Sequence, residues 1–337
     1  MVAKILAALA IPLIVATLVG AVLRLTHHSA VPALDVPVTQ SANTGVAPGS
    51  ATSAQFSACD GIVPGRFSGI AVPKQPARSI FAYTQKLDAK LHVVEFYNAF
   101  RRKFERGEAD QAVQAGLIPL IQLNPWRVSE QQIASGVWDR HIENYANDVK
   151  KFGCTVILSF GHEMNGWWYP WGAPRTSPAN FIAAWRHIHD IFEQEHVRNV
   201  IWSWDPSHQH GEIASGKIAA AASEWYPGDK YVDWIGLDGY LGTNRSGHAQ
   251  NFREIFSFQL SVIRKIAPHK KVYLAETGVV PGPAATAQIA ELYSGAAAFH
   301  LAGVVWFDAV AKHDYRLGIN SAEDAAYGKG VIGFLKG

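Results

Sequence analysis

Residues 156–172 read Val-Ile-Leu-Ser-Phe-Gly-His-Glu-Met-Asn-Gly-Trp-Trp-Tyr-Pro-Trp-Gly. The apolar run Val156–Phe160 is rich in β-branched side chains and predicts a buried strand. Gly161 ends that strand, and the ionisable side chains of His162 and Glu163 follow at once. Four aromatic residues crowd the next loop, namely Trp167, Trp168, Tyr169 and Trp171. This pattern is typical of an active site on an α/β scaffold. The alternative is a capped strand end whose aromatic residues only cover the core.

Strand-like and helix-like segments alternate on both sides of this stretch. Eight apolar runs predict strands at Phe67–Val72, His92–Phe96, Ile118–Leu123, Val156–Phe160, Val200–Trp204, Trp234–Leu237, Val272–Ala275 and Val304–Phe307. Helices are predicted at Arg78–Ala89, Gly107–Ala115, Ser129–Lys151, Ser177–His196, Gln250–Ile266, Pro283–Phe299 and Ala322–Leu335, and a less regular one at Ile218–Trp225. Eight strand–helix units in roughly 270 residues indicate the α/β class and a (β/α)8 TIM barrel. A doubly wound sheet would fit six or seven strands, but no Gly-x-Gly-x-x-Gly motif follows any of them.

Carboxyl groups end two of the predicted strands. Glu163 follows the fourth strand and Glu276 follows the seventh. The carboxyl ends of all strands of a parallel barrel meet at one mouth, so we expect these two side chains to face the same space. Paired carboxyl groups are the minimum equipment for glycoside hydrolysis, one protonated as acid and one ionised as nucleophile or base. Aromatic rings beside them suit a sugar, because they stack on its apolar face and desolvate the acid.

The composition is that of a folded protein, and the net charge is too small to produce a strong electrostatic field. The 337 residues are 48% hydrophobic and 17% charged, and the formal net charge is +2. This charge gives no reason to expect nucleic acid as a partner. We expect a polysaccharide as the partner and a monomer as the working unit.

The N-terminus has the pattern of an export or anchoring segment. Lys4 precedes an uncharged apolar run, Ile5–Leu23, which Arg24 closes. A run of 19 residues is long for a signal peptide and just long enough to span a bilayer as a helix. We therefore predict a signal peptide or membrane anchor at 1–25, a flexible Ala/Ser/Thr/Pro-rich linker at 26–60, and one catalytic domain at 61–337. The protein is then extracytoplasmic, either secreted or held at the membrane by an uncleaved helix.

Two cysteines, Cys59 and Cys154, precede the first and the fourth predicted strands. Both should lie near the same end of a barrel. An exported protein could join them and so fix the linker to the domain. Two independent buried thiols are the interpretation that we prefer from sequence.

Three segments resemble family 26 of the glycoside hydrolases, a retaining (β/α)8 family. The segment 162–172, His-Glu-Met-Asn-Gly-Trp-Trp-Tyr-Pro-Trp-Gly, resembles the acid/base segment of that family. The segment 225–240, Trp-Tyr-Pro-Gly-Asp-Lys-Tyr-Val-Asp-Trp-Ile-Gly-Leu-Asp-Gly-Tyr, is similar to the segment around its sixth strand. Leu274-Ala275-Glu276-Thr277-Gly278 is similar to the nucleophile segment, where the family usually has Phe in place of Thr277. The likeness covers most of residues 61–337.

The resemblance implies roles for individual residues. Glu163 is expected to be the general acid/base and Glu276 the nucleophile. His162 should bind sugar or tune the protonation of Glu163, and Tyr240 should donate a hydrogen bond toward Glu276. Aromatic and amide side chains are expected to complete the substrate site, with Trp168 and Trp306 at the cleaved subsite. The further substrate contacts that we predict are Trp167, Trp204 and Asn124.

Two other classes of function remain open at this stage. A metal-dependent hydrolase is disfavoured because the zincin pattern His-Glu-x-x-His fails at Gly166, so we predict no metal and no cofactor. A barrel that binds carbohydrate without cutting it is disfavoured by the presence of both glutamates. The family resemblance implies β-1,4-mannan as the first substrate to consider. Mixed-linkage β-glucan, β-1,3-xylan and a polysaccharide of the cell envelope are alternatives.

Overall fold

The structure is a computed structural model that describes residues 58–60, 65–72, 89–209, 211–213, 217–219 and 222–337. The predicted N-terminal apolar helix, most of the linker and the helix predicted at Arg78–Ala89 lie outside these residues. None of the helices in the described part has both the length and the apolar character needed to cross a bilayer.

Eight parallel strands form a closed barrel, as predicted. In chain order they are β1 (Phe67–Ala71), β2 (Val93–Ala99), β3 (Ile118–Asn124), β4 (Val156–Phe160), β5 (Val200–Trp204), β6 (Trp234–Leu241), β7 (Lys271–Val279) and β8 (Gly303–Phe307). Each strand pairs with its neighbours in sequence, and β8 closes the barrel on β1, where Phe307 lies opposite Ala71. All eight strands therefore deliver their carboxyl ends to one mouth.

The helices surround this barrel. Those in the described part are α1 (Arg106–Gln114), α2 (Glu130–Ala134), α3 (Asp139–Phe152), α4 (Pro178–Gln194), α5 (Phe252–Ile266), α6 (Ala285–Ala298) and α7 (Ser321–Lys336). Two capping boxes fix helix starts: Ser129 with Gln132 begins α2, and Asn251 with Glu254 begins α5.

Alternation along the strands divides the core into two layers. Inward-facing residues such as Phe67, Leu120 and Tyr273 fill the barrel, and outward-facing residues such as Ile70 and Leu158 pack in the layer shared with the helices. Because successive strand residues point to opposite faces, a shift of one position moves a side chain from the mouth to the helix layer.

Two predicted helices differ from the structure. The segment predicted as one helix at Ser129–Lys151 divides into α2 and α3 around Gly136, whose φ of +85° is left-handed and unfavourable for a continuous helix. The described residues of the segment Ile218–Trp225 do not form an α-helix. The chain there forms a short antiparallel hairpin, Gly211–Ile213 with Lys217–Ala219, followed by a 3-10 turn at Ala222–Trp225. The Ala-rich composition of this segment was a misleading helix signal.

A disulfide joins Cys59 to Cys154. The prediction of two independent thiols was therefore wrong. The bond ties residues just before β1 to the start of β4, and the carbonyl of Cys59 also accepts a hydrogen bond from Thr155 Oγ1 at 3.3 Å.

Candidate active site

Glu276 lies on β7 with a phenol on each side. The hydroxyl of Tyr240, on β6, donates a hydrogen bond to Glu276 Oε1, and the hydroxyl of Tyr97, on β2, donates one to Oε2. The Glu276 side chain is nearly buried, at 7% exposure. Both carboxylate oxygens are thus directed by fixed donors, which hold the group in one orientation and favour its ionised form.

Glu163 occupies a strained position directly after β4. Its φ is +54°, a left-handed conformation that non-glycine residues seldom adopt. The strain is held by backbone hydrogen bonds: Glu163 N donates to the carbonyl of Asp205 at 2.7 Å, and Gly166 N donates to the carbonyl of Glu163 at 2.9 Å. Such outliers persist where the surrounding structure enforces them, and they cluster at functional sites.

The indole of Trp168 fixes the Glu163 side chain. Trp168 Nε1 donates to Glu163 Oε2 at 2.5 Å. The ring reaches this position by crossing Gly166, where a Cβ atom would lie only 2.3 Å from Trp168 Cζ2. The glycine in the Asn-Gly-Trp-Trp segment is therefore required for the close approach of the ring.

The two glutamates differ in their protonation. Burial, together with the negative charge of Glu276, raises the pKa of Glu163 to about 8. Burial also raises the pKa of Glu276, but the hydrogen bonds from Tyr240 and Tyr97 act in the opposite direction. At neutral pH Glu163 therefore keeps its proton, whereas the two hydrogen bonds favour the ionised form of Glu276.

His162 is a buried, neutral residue in this site. It has no exposed surface, and burial lowers its pKa to about 3. Its Nδ1 lies 2.9 Å from Asn124 Oδ1, and its Nε2 lies 3.3 Å from the hydroxyl of Tyr169. The amide oxygen of Asn124 can only accept, so Nδ1 carries the proton and Nε2 accepts from Tyr169. Asn124 and His162 thus brace the loop that carries Glu163.

Three further carboxyl groups lie in the barrel beneath the two glutamates. Asp205 is fully buried and accepts from Gln122 Nε2 at 2.9 Å and from Ser203 Oγ at 2.5 Å. Glu95 and Asp238 are also fully buried, and none of their carboxyl oxygens has a hydrogen bond within 3.5 Å. Burial and nearby negative charge, above all that of Glu276, raise the pKa of Glu95 and of Asp238 well above the usual range. The buried site therefore favours the neutral form of both acids.

Most of the residues singled out from sequence come together at this mouth. Glu163, Glu276, Tyr240, Trp168 and His162 form one connected group, to which Asn124 is joined through His162. The half-buried Trp167 packs edge-on against Trp168, with ring centroids 6.0 Å apart.

Trp204 and Trp306 do not reach the mouth. Trp204 is fully buried against Tyr226, and Trp306 is 2% exposed and packs against Tyr327. Both lie in the layer between barrel and helices, so this placement corrects the expectation that they contact substrate. The reason is strand alternation: on β8 the neighbour of Trp306, Phe307, faces the interior and packs edge-on against Tyr240 at 6.0 Å.

Tyr97 is the functional side chain that the sequence reasoning missed. The predicted second strand stopped at Phe96, whereas β2 runs to Ala99 and places Tyr97 at the mouth. The polar residues Glu95 and Tyr97 stand two positions apart and hence on one face. Two polar residues on one face of an otherwise apolar strand point to a functional position, and this pattern in the sequence could have identified both Glu95 and Tyr97.

The arrangement can deliver a proton from one side of a bound sugar and a carboxylate from the other. It has a strained acid held by an indole, an ionised carboxylate held by two phenols, and aromatic rings around both. Within the described residues, no group of three or more His, Cys, Asp or Glu side chains is arranged to hold a metal ion.

The fold and this pair of carboxyl groups define a glycoside hydrolase of the barrel class. The comparisons with known proteins agree, because residues 128–319 match Glycosyl hydrolase family 26. The chain belongs to that family.

Relatives with assigned activities differ in what they act on. The chain is 30% identical over 276 residues, 78% of its length, to a protein named Endoglucanase H from Acetivibrio thermocellus. It is 33% identical over 101 residues, 28% of its length, to Mannan endo-1,4-beta-mannosidase A and B from Caldalkalibacillus mannanilyticus. These matches span only 30% and 18% of the relatives' own lengths.

Solved structures of the family share the fold at low sequence identity. The catalytic domain of an endo-beta-1,4-mannanase from Bacillus sp. JAMB-750 is 16% identical with a TM-score of 0.59, and the similarity covers 81% of this chain and 86% of that one. A modular endo-beta-1,4-mannanase from Cellulomonas fimi is also 16% identical with a TM-score of 0.60, covering 78% of this chain and 70% of that one.

Proposed function

We propose that this chain is a retaining endo-β-glycanase that cuts a β-linked polysaccharide by double displacement. The observation that carries the proposal is the opposite treatment of the two glutamates. Glu276 receives a hydrogen bond on each carboxylate oxygen, while the pKa of Glu163 is raised to about 8. One group is thus prepared as a nucleophile and the other as an acid.

The reaction follows from these protonation states. Glu276 attacks the anomeric carbon while Glu163 gives its proton to the glycosidic oxygen, and the leaving chain departs. Glu163, now ionised, takes a proton from a water molecule that attacks the same carbon and releases Glu276. The phenols of Tyr97 and Tyr240 orient the nucleophile in the first step and stabilise the carboxylate when it leaves in the second.

The substrate that we propose first is β-1,4-mannan. The relative named for mannan activity supports it over a short region, and Endoglucanase H supports a β-glucan over a longer one. A third relative, Beta-1,3-xylanase TXYA from Vibrio sp, is 26% identical over 130 residues. For this reason β-1,3-xylan is a third candidate substrate. We also propose that the domain works outside the cytoplasm as a monomer, anchored or secreted. The apolar run at Ile5–Leu23 and the disulfide support an oxidising compartment.

A polymer-release assay tests the proposal directly. The purified full chain would be incubated with β-mannan, lichenan, β-1,3-xylan, cellulose and xylan, and new reducing ends would be counted. Glu276→Ala should abolish release, whereas Glu224→Ala, which removes an exposed carboxylate that is not part of the buried group of acids, should leave it intact. Proton NMR of the first products should show the β anomer, the stereochemistry of retention. Release that survives Glu276→Ala, or folded wild-type protein that cuts none of the polymers, would contradict the proposal.

A further inference from the structure

The described part of the rim of the barrel mouth carries an excess of positive charge. The term rim is used here for the segments that directly follow the strand ends and whose side chains are described, namely 100–105, 125–129, 161–177, 205–209, 242–251, 280–284 and 308–320. Apart from the carboxyl groups of the buried centre and Asp308, which is nearly buried, two acidic residues lie on the rim, Glu105 and Asp314. Eight basic residues lie there, namely Arg101, Arg102, Lys103, Arg127, Arg175, Arg245, Lys312 and Arg316. Because the whole chain has a formal net charge of only +2, this excess is local.

Three of the rim cations have other partners. Arg102 pairs with Glu105 at 3.0 Å, and Arg316 pairs with Asp314 at 2.7 Å. Arg175 donates to backbone carbonyls of the aromatic loop. Three of the remaining five are gathered on one side of the mouth, and no ion pair to a described carboxylate involves them, while one of the three also lies over the ring of Trp138 at 5.9 Å from its centroid. These are Arg101, Lys103 and Arg127.

Backbone register holds these three cations on adjacent loops. Ala99 at the end of β2 pairs with Asn124 at the end of β3, and Phe100 N donates to the carbonyl of Asn124 at 2.8 Å. Arg101 and Lys103 follow the first of these strand ends, and Arg127 follows the second. The β2 loop is fixed further by Asn98 Nδ2, which donates to the carbonyl of Lys103 at 3.0 Å.

An exposed indole lies in the same sector. Trp126, directly before Arg127, is 45% exposed. Its ring stands edge-on against Trp171, with centroids 4.8 Å apart, and Trp171 in turn donates from Nε1 to the carbonyl of His162 at 2.7 Å. Trp126 is therefore a rigid aromatic surface that continues outward from the loop carrying Glu163. An exposed aromatic face backed in this way is suited to a sugar ring.

We propose that the polysaccharide bound by this chain carries acidic groups, and that the sector of Arg101, Lys103, Trp126 and Arg127 binds an acidic sugar outside the cleaved linkage. The indole stacks on the ring, and the cations bind its carboxylate. This inference rests on the proposed function for the position of the cut, and it adds the chemical class of the polymer.

A binding measurement tests the inference without relying on catalysis. The full-length Glu276→Ala variant would be run by affinity electrophoresis in gels containing neutral galactomannan or lichenan, and in gels with the same polymers sparsely carboxymethylated. Each exposed ion pair typically changes affinity a few-fold, so three should give about tenfold tighter binding of the carboxymethylated polymer at low salt. The preference should vanish in about 1 M NaCl, where the Debye length falls to about 3 Å.

Two charge-reversal variants locate the effect. Lys103→Glu/Arg127→Glu should remove the preference for the acidic polymer. Lys265→Glu/Lys329→Glu changes the net charge equally on exposed positions of α5 and α7, and it should keep the preference. Equal binding of both polymers by the Glu276→Ala chain, or equal loss in both double variants made in that chain, would overturn the inference. Equally tight binding of carboxymethyl dextran, whose backbone is α-linked, would also overturn the inference, because binding would then depend on charge alone and not on the β-linked sugar.

The outcomes also separate this inference from the proposed function. A preserved preference in a protein that cuts no polymer would contradict the proposed function alone. Cleavage of neutral polymer without any acidic preference would contradict the inference alone.

Discussion

The hydroxyl of Tyr97 on β2 donates a hydrogen bond to Oε2 of Glu276, opposite the bond that Tyr240 donates to Oε1. The two phenols come from strands on opposite sides of β7 in the barrel order and leave neither oxygen without a donor. A buried carboxylate with two such donors stays ionised despite the loss of hydration. The control of this one charge is the central electrostatic feature of the site.

Removing the Tyr97 donor should change the pH dependence of cleavage. Tyr97→Phe deletes a bond that favours the charged form of Glu276, so the pKa of Glu276 rises and the acidic limb of kcat/KM moves to higher pH. A hydrogen bond to a charged group contributes about 1.5–3 kcal/mol, so we expect a fall in kcat/KM of about tenfold or more. Tyr226→Phe, which removes a hydroxyl that donates to Asp229 and not to Glu276, serves as the control. An unmoved acidic limb would contradict the role given to Tyr97.

The basic limb should depend on Trp168. Activity is expected to fall above the pKa of Glu163, which is about 8, because the acid then loses its proton. The indole hydrogen bond lowers this pKa, since it favours the ionised carboxylate. Trp168→Phe should therefore move the basic limb of kcat to higher pH, and Trp138→Phe, on the start of α3, should not. A shift to lower pH in Trp168→Phe would show that the ring acts mainly by burying the acid.

Glu163 can be tested by its dependence on the leaving group. Glu163→Ala removes the proton donor, so cleavage of unactivated glycosides should fall by about 10²-fold or more. Aryl glycosides with acidic phenols need no proton in the first step and should lose much less. Azide should restore turnover by attacking the glycosyl-enzyme in place of water, giving a β-glycosyl azide detectable by mass spectrometry. Uniform loss on all substrates with no azide product would exclude Glu163 as the acid/base.

The barrel was predictable from sequence because its evidence is repeated along the chain. Eight apolar runs with helical segments between them fix the strand count, and all eight strands form where the runs lie. Glu163 and Glu276 were predictable for the same reason, since each directly follows or ends a run. Elements that depend on one residue were less certain. Gly136 divides a helix that periodicity alone would continue, and the strand Lys217–Ala219 and the 3-10 turn Ala222–Trp225 lie where an alanine-rich segment favours a helix.

Side-chain direction at the mouth could not be read from apolar runs alone. Trp306 and Phe307 are adjacent aromatic residues at the end of β8, and only the barrel register with Ala71 decides which faces the site. The same holds for Trp204, whose neighbours Ser203 and Asp205 face inward instead. The pairing of Cys59 with Cys154 likewise needed the three-dimensional position of the residues before β1.

The disulfide should stabilise the fold. It closes a loop with a sequence separation of 95 that includes β1, β2 and β3. Cross-links over loops of this size lower the entropy of the unfolded chain, and their loss typically costs about 2–5 kcal/mol. Cys59→Ser/Cys154→Ser should lower the free energy of unfolding in urea by that amount, and a reductant should lower it in the wild-type protein but not in the variant. Labelling of unreduced, denatured wild-type protein by a thiol reagent would refute the bond.

Glu95 should make the folded state less stable as the pH rises. It is fully buried, and burial, together with the negative charge of Glu276, raises its pKa well above the ordinary pKa of a glutamate in an unfolded chain. Above that value the unfolded chain releases the proton while the folded protein keeps it, so the stability contributed at low pH is progressively lost as pH increases.

Glu95→Gln cannot ionise in either state and should escape this loss. Near pH 4 its free energy of unfolding should therefore be equal to or lower than that of the wild-type protein. Between pH 4 and pH 7 the free energy of the variant should increase steadily relative to that of the wild type, as measured by urea denaturation at each pH. Glu224→Gln, an exposed position, should run parallel to wild type throughout. A constant offset between Glu95→Gln and wild type across this range would mean that Glu95 is ionised in the folded protein, and that Glu276 works beside a second negative charge.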